Sequence, residues 1–371
     1  MSSENKKIPL LSFFTGGGFL DMGFERTQQF ETVWTNECDP IFAKFYAEGF
    51  TSWLKNLDKG FSARSISNTK KIQDLTGSQI KTEAFGATVP SIFGVIGGPP
   101  CQDFSLMGKK NGFDGDRGKL TKEFLIKVNE IQPSFFIMEN VAGLIHVKKT
   151  KKVFIEHLNT LSESYFVDYF TLNALHYGTP QSRERVFVIG ISKDLITSPG
   201  IFKEGWLRSP CKIYRDAFSW KTPSPHPFGQ PIKKEGDIPL ELCVESHLVP
   251  EEDMSRIPNA NEYFKLHTNL EKLNNIKEGE TNRPSFKRLH RYKYSPTVCY
   301  GNNEVHLHPY KQRRLSVREA LRLQGVQDSY VLSSSGQLSK KFKMIGNGVP
   351  VPLAEAVANA LYSFFLEHQI M

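Results

Sequence analysis

Gly97-Gly98-Pro99-Pro100-Cys101-Gln102 holds one thiol behind two prolines, at the end of the apolar run Ile92-Phe93-Gly94-Val95-Ile96. The proline rings fix the approaching backbone. Sulfur attacks as thiolate, so a reactive cysteine needs an accessible, electropositive setting, whereas a buried one is inert. The flanking residues favour the reactive case. Asp103 to Gly118 contain Gly108, Gly112, Gly115 and Gly118 with Lys109, Lys110 and Arg117, which is the composition of a moving lid whose cations meet phosphates.

A second cluster lies near the start. Gly16-Gly17-Gly18, followed by Gly23, lets a ligand approach the backbone between a strand and a helix. It is not the dinucleotide pattern, because Asp21 stands where the third glycine belongs. Glu37, about 20 residues further on, ends the next apolar run, where a carboxylate can accept both hydroxyls of a ribose. The two features together fit a nucleoside-containing cofactor without pyrophosphate; taken alone, the glycines equally fit a plain turn.

The elements that must position these residues are short apolar strands. Ile8 to Phe14, Thr32 to Thr35, Ile92 to Ile96, Phe135 to Met138 and Val186 to Gly190 are apolar without alternation and separated by helical stretches. That pattern predicts a parallel sheet covered on both faces, with ligands beyond the carboxyl ends of its strands. Every polar cluster follows a strand except the Arg183-Glu184-Arg185 turn, which precedes one. From Ser198 to Asn282 periodicity is poor, which predicts a separate irregular module. Ser316 to Leu323 predicts a helix, and Pro352 to Leu366 a closing one. Lys287 to Tyr294, including Arg288 and Arg291, interleaves cations with aromatics and predicts phosphate contact, with Lys311, Arg313 and Arg314 adding charge. Lys148, Lys149, Lys151 and Lys152 fit a solvated helix face. His306 and His308 lack a third ligand, so no metal is expected.

Composition bounds the function. The 371 residues, 39% hydrophobic and 23% charged, suit a soluble globular protein of one large and one smaller domain. Net charge of +8 favours an acidic partner such as nucleic acid. Five cysteines at wide spacing, with no C-x-x-C pair, suggest neither a disulfide framework nor a thiolate zinc site, which fits a reducing cytoplasm. No secretory signal and no membrane-length apolar run is visible.

Phe14 to Phe24, Pro99-Pro100-Cys101-Gln102, Glu139-Asn140-Val141, Gln181-Ser182-Arg183-Glu184-Arg185, Arg318 to Gln324 and Gly346 to Pro350 occur in that order. This set resembles the DNA cytosine-5 methyltransferase family, and is most similar to its bacterial restriction–modification members. The resemblance implies an α/β fold with a doubly wound, mostly parallel Rossmann-like sheet and a second, smaller irregular DNA-recognition domain. Residues 1–191 and 341–371 would form the catalytic, S-adenosylmethionine-binding domain, and 192–340 the small domain with target-recognition region and hinge.

The implied reaction is methyl transfer from S-adenosylmethionine to carbon 5 of a cytosine flipped out of duplex DNA. Cys101 would add to carbon 6. Glu139 would hold and protonate ring nitrogen 3, Arg183 would bind the cytosine carbonyl oxygen, and Arg185 would support the cluster. Phe14, Gly16, Gly18, Leu20, Glu37, Asp74, Leu75, Pro100, Leu120, Asn347 and Val349 would line the cofactor site. Phe19 stands where many relatives have a second glycine. Gln102, Ser105, Arg117, Gln181, Arg288 and Arg291 would contact DNA. A cognate restriction endonuclease acting separately and a monomeric state are expected. The rivals are a tRNA cytosine-5 methyltransferase of the same family, whose Cys-Phe-Thr tripeptide is missing here, and an inactive DNA-binding regulator.

Overall fold

A computed structural model describes residues 7–57, 62–100, 118–196, 202, 206, 208–266, 270–298, 300, 304–333 and 337–370. Strands β1 (Ile8–Phe13), β2 (Phe30–Asn36), β3 (Gly94–Gly97), β4 (Phe135–Val141), β5 (Tyr165–Asn173) and β6 (Glu184–Ser192) form one sheet in the order β2-β1-β3-β4-β6-β5. The first four run parallel, and β6 runs antiparallel to both β4 and β5. Five of the strands coincide with the apolar runs of the sequence. The sixth, β5, does not stand out because it is an edge strand, mostly half-buried, so its residues carry neither a clean alternation nor a fully apolar run.

The reversal of β6 explains the exception noted above. Its first residues lie at the edge of the sheet where β1, β3 and β4 end, with Arg185 opposite Val141 and Phe187 opposite Glu139. A turn that precedes β6 therefore reaches the same edge as turns that follow the parallel strands.

Helices α1 (Phe19–Arg26), α2 (Pro40–Asn56), α3 (Gly77–Phe85), α4 (Gly118–Ile131), α5 (Gly143–His146) and α6 (Lys148–Asn159) belong to the first half. The chain continues with α7 (Leu270–Asn274), α8 (Val317–Arg322), α9 (Leu338–Asn347) and α10 (Val351–Glu367). Local signals set several starts. Asp39 caps α2 by accepting from the Ile41 and Phe42 N–H groups, with Pro40 at the first helical position. Ser316 and Glu319 form a reciprocal capping box on α8.

Closing helix α10 lies along α1, and their approach requires Gly23, where a Cβ would sit 2.4 Å from that of Ala354. Leu353, Val357, Leu361 and Phe365 of α10 join Phe135 and Ile137 of β4 in one apolar cluster, each such side chain contributing about 1.5–3 kcal/mol by burial. The apolar stretch Leu338–Glu367 is long enough to cross a membrane, but Pro350 interrupts it and its apolar residues fill this core.

Between residues 208 and 266 the described chain holds 3-10 turns and one isolated bridge, from His226 to Glu278, in keeping with the poor periodicity of that region. A second cluster joins Phe45, Tyr46 and Phe50 of α2 to Val298, Leu321, Tyr330 and Phe342. It draws on both sides of residue 340.

Candidate active site

Glu139, near the end of β4, is 7% exposed and meets Arg185 with Nε 2.9 Å from its Oε1. In an antiparallel pair, residues two apart across the ladder share a face, so the reversal of β6 is what puts this guanidinium beside this carboxylate. Burial pushes the Glu139 carboxyl up from the usual carboxylate range, against the opposing pull of Arg185 and then Arg183. The result is a paired acid that holds a proton more readily than a free glutamate. The exit of β3 passes the same carboxylate: a Cβ on Gly98 would lie 3.0 Å from Glu139 Oε2. The Glu139-Asn140 pair does not cap α5, whose N-terminus has no side-chain cap. Asn140 Oδ1 instead accepts from the Val141 N–H at 2.8 Å.

Arg183 has a different place. Its guanidinium is fully buried and donates to the carbonyls of Val298 at 2.9 Å and Gly346 at 2.8 Å. Arg185 thus pairs directly with the acid, while Arg183, which still acts electrostatically on Glu139, ties the start of β6 to the chain around Val298 and Gly346.

At the neighbouring strand end, Phe14 (φ 55°), Gly16 (φ 58°) and Gly18 (φ 76°) adopt left-handed backbone in a tight turn into α1. Gly16 N–H donates to Glu37 Oε2 at 3.0 Å, and Asp39 N–H donates to Oε1 at 2.8 Å. Each carboxylate oxygen keeps a further lone pair for a hydroxyl. Burial raises the Glu37 carboxyl, while the Asp39 and Gly16 N–H groups oppose the shift. The Gly17 and Gly348 backbones press on Met344 and Phe19, since a Cβ at either position would lie 2.9 Å or less from them. The turn thus holds Glu37 on one side and packs against Met344 and, through Phe19, the Gly348 backbone. Asn347 and Pro100 are exposed, Phe14 and Leu120 half-buried. Leu20, Leu75 and Val349 are buried in apolar clusters. Asp74 is exposed on a one-turn 3-10 helix.

The model of the family described as C-5 cytosine-specific DNA methylase matches residues 8–363. The chain belongs to that family. It is 37% identical to the Type II methyltransferase M.NmeDI of Neisseria meningitidis serogroup C, covering 98% of this chain and 86% of that protein. Against M.FnuDI of Fusobacterium nucleatum the identity is 30%, over 95% and 94%. Among solved structures, a protein described as a DNA modification methyltransferase from an E. coli prophage aligns with a TM-score of 0.65 at 26% identity, over 97% of this chain and 100% of that one. The S. pombe Dnmt2 methyltransferase, 17% identical with a TM-score of 0.59 over 97% and 99%, shares the fold.

In this methylase three residues expected on DNA have other engagements or other surroundings. Arg288 is fully buried, donating to the carbonyls of Ile276, His308 and Leu273 at 2.7–2.9 Å, and burial pulls its pKa down to about 10. It braces the chain around Leu273, Ile276 and His308. Arg291 grips Glu278 through two bonds of 2.7 and 2.9 Å and stacks over Tyr310. Gln181 is also fully buried. It donates to Leu323 O and Gln324 Oε1 and accepts from Val298 N–H, at 2.7–3.1 Å. Cys101, Gln102, Ser105 and Arg117 lie outside the described residues. Of the histidine pair, His308 Nδ1 accepts the Tyr310 and Lys311 N–H groups, and no cluster of metal-ligating side chains occurs among the described residues.

One contributor escapes sequence reasoning. Tyr330 Oη donates to Gly17 O at 2.9 Å and clasps the glycine turn from the far side of the chain. A lone tyrosine so distant carries no local signal.

Proposed function

We propose that this methylase modifies cytosine carbon 5 at a specific sequence in duplex DNA as the modification component of a Type II restriction–modification system, with Cys101 as nucleophile. The Glu139–Arg185 pair beside the exit of β3 is the observation that supports the reading, because the chain passes Glu139 at Gly98, and Pro99, Pro100 and Cys101 follow Gly98 in the sequence.

Carbon 5 of cytosine is a poor nucleophile. When the Cys101 sulfur bonds to carbon 6, the carbon 5–carbon 6 π electrons move toward the ring nitrogen and carbonyl, and carbon 5 becomes enamine-like. Glu139 carries the proton that ring nitrogen 3 takes as charge develops. Arg185 orients Glu139 and donates to the cytosine carbonyl oxygen. S-adenosylmethionine, when bound, supplies the methyl group. The residues present fit it: left-handed glycines leave room beside the backbone, and Glu37 offers free lone pairs for a ribose. Afterwards the carbon 5 proton leaves, the double bond reforms and sulfur is expelled. The target base must leave the stack for this geometry, at about a few kcal/mol. Residues 192–340 read the flanking sequence.

Bisulfite sequencing of DNA from cells expressing the protein tests this. Protected cytosines at one recurring sequence are expected. Protection nowhere in DNA, with labelled methyl entering tRNA instead, contradicts the proposal.

A further inference from the structure

Behind the glycine turn, Ser12 of β1 and Asp21 of α1 meet, Ser12 Oγ donating to Asp21 Oδ1 at 2.6 Å. Thr15 closes the group by donating to Ser12 O at 3.1 Å. Asp21 is fully buried, and its second oxygen has no hydrogen-bond partner among the described residues. Tyr46 Oη, from α2, is likewise buried without one. The Tyr46 ring forms the floor of the turn, 2.6 Å from where a Cβ on Gly18 would lie.

An ionised carboxylate only accepts, and a dry site must supply donors for both oxygens. Here Ser12 donates to Oδ1 and the Asp21 N–H adds a weaker pull, but Oδ2 has no partner among the described residues. The surrounding charges do not make up the shortfall. Glu25, one turn further along α1, repels a second negative charge, and Arg64 is shared with Glu25 at 3.4 Å and Glu31 at 3.7 Å. From α2 and the later chain come the hydroxyls of Tyr46 and Tyr330, and on α10 Glu355 is paired with Arg26 at 3.1 Å. Burial, the largest influence, pushes the Asp21 carboxyl up to about 7 against the Ser12 hydrogen bond.

We propose that Asp21 is a positioning residue of the cofactor turn, acting as an uncharged acid that locks Ser12 to α1 and keeps the floor beneath Gly18 in place. This rests on the turn being the S-adenosylmethionine site. Ionisation of Asp21 must draw water into the space beside Tyr46 or displace the ring, and either change loosens the turn.

The test compares wild type with Asp21→Asn, which keeps the shape and cannot ionise. Two readouts are taken against pH: Tm of the protein without cofactor, and Kd for S-adenosylhomocysteine. For an acid whose folded pKa is raised, stability is lost as pH rises from its ordinary 3.8 through about 7. Asp21→Asn therefore gains Tm relative to wild type across that window, with the difference level above it. Wild-type Kd weakens by up to about tenfold per unit above pH 7, whereas Asp21→Asn stays flat. Ser12→Ala, which removes the hydrogen bond that favours the anion, moves the wild-type step to higher pH and gives an independent readout if the first variant fails to fold. Parallel pH profiles for wild type and variants overturn the proposal. A Tm difference without a Kd difference shows a buried acid unconnected to the cofactor, and also overturns it. No S-adenosylhomocysteine binding at any pH overturns the site reading itself.

Discussion

Glu139 and Arg185 lie 2.9 Å apart although β4 and β6, which carry them, run in opposite directions. The antiparallel register sets Arg185 one diagonal step from Glu139 on the same face. The Gly98 backbone brings the approach to Cys101 past the same carboxylate. Charge, acid and the backbone leading to Cys101 thus share one edge.

Replacing Glu139 by Gln keeps the shape and removes the transferable proton. Methyl incorporation in single turnover is expected to fall about 10²- to 10⁴-fold, with Tm little changed. Arg185→Met leaves the carboxyl buried without its partner, raising its proton affinity further. Because a raised acid loses stability as pH increases through its folded pKa, Arg185→Met should lose Tm more steeply than wild type as pH rises above the ordinary carboxylate range. Superimposable stability profiles would refute the pairing.

Gly18→Ala tests the cofactor turn. A methyl group there meets the Tyr46 ring at 2.6 Å and must adopt φ 76°. Strain of about 1–3 kcal/mol follows, and S-adenosylhomocysteine affinity should fall at least about tenfold, which calorimetry measures.

Gln181 is fully enclosed, so Gln181→Ala leaves the Val298 N–H and the Leu323 carbonyl without their partner. Chemical denaturation should show a loss of about 1–3 kcal/mol. A substitution that instead weakened DNA binding at unchanged stability would return Gln181 to the DNA surface.

Arg288→Met separates strut from phosphate ligand. Removing a buried guanidinium that serves three carbonyls is expected to cost about 1–3 kcal/mol for each carbonyl left unpaired. The dependence of log Kd for DNA on log salt should keep its slope, whereas a cation seated on a phosphate would contribute about 0.9 to it.

Much of this was legible beforehand. Apolar runs without alternation located five strands, and the polar residues at their ends marked Glu37 and Glu139. The direction of β6 was not legible, because a strand's own residues do not encode which way its neighbour runs. That direction is what sets Arg185 beside Glu139. The engagements of Arg288 and Gln181 were hidden for a related reason. Their types suit DNA, yet their partners Ile276, His308, Leu323 and Val298 come together only through the tertiary fold. Asp21 filled a glycine's place in a familiar pattern, and its burial with Ser12 needed the helix to be set against β1.

The most direct measurement uses duplex DNA amplified with 5-fluorodeoxycytidine triphosphate, so that every target carries fluorine at carbon 5. With S-adenosylmethionine present, fluorine cannot leave as a proton does, and the sulfur–carbon 6 bond should persist. A denaturant-stable protein–DNA adduct is expected for wild type, mapping to Cys101 by mass spectrometry and missing from Cys101→Ala. An adduct that survives in Cys101→Ala, or one attached to another residue, would contradict the account.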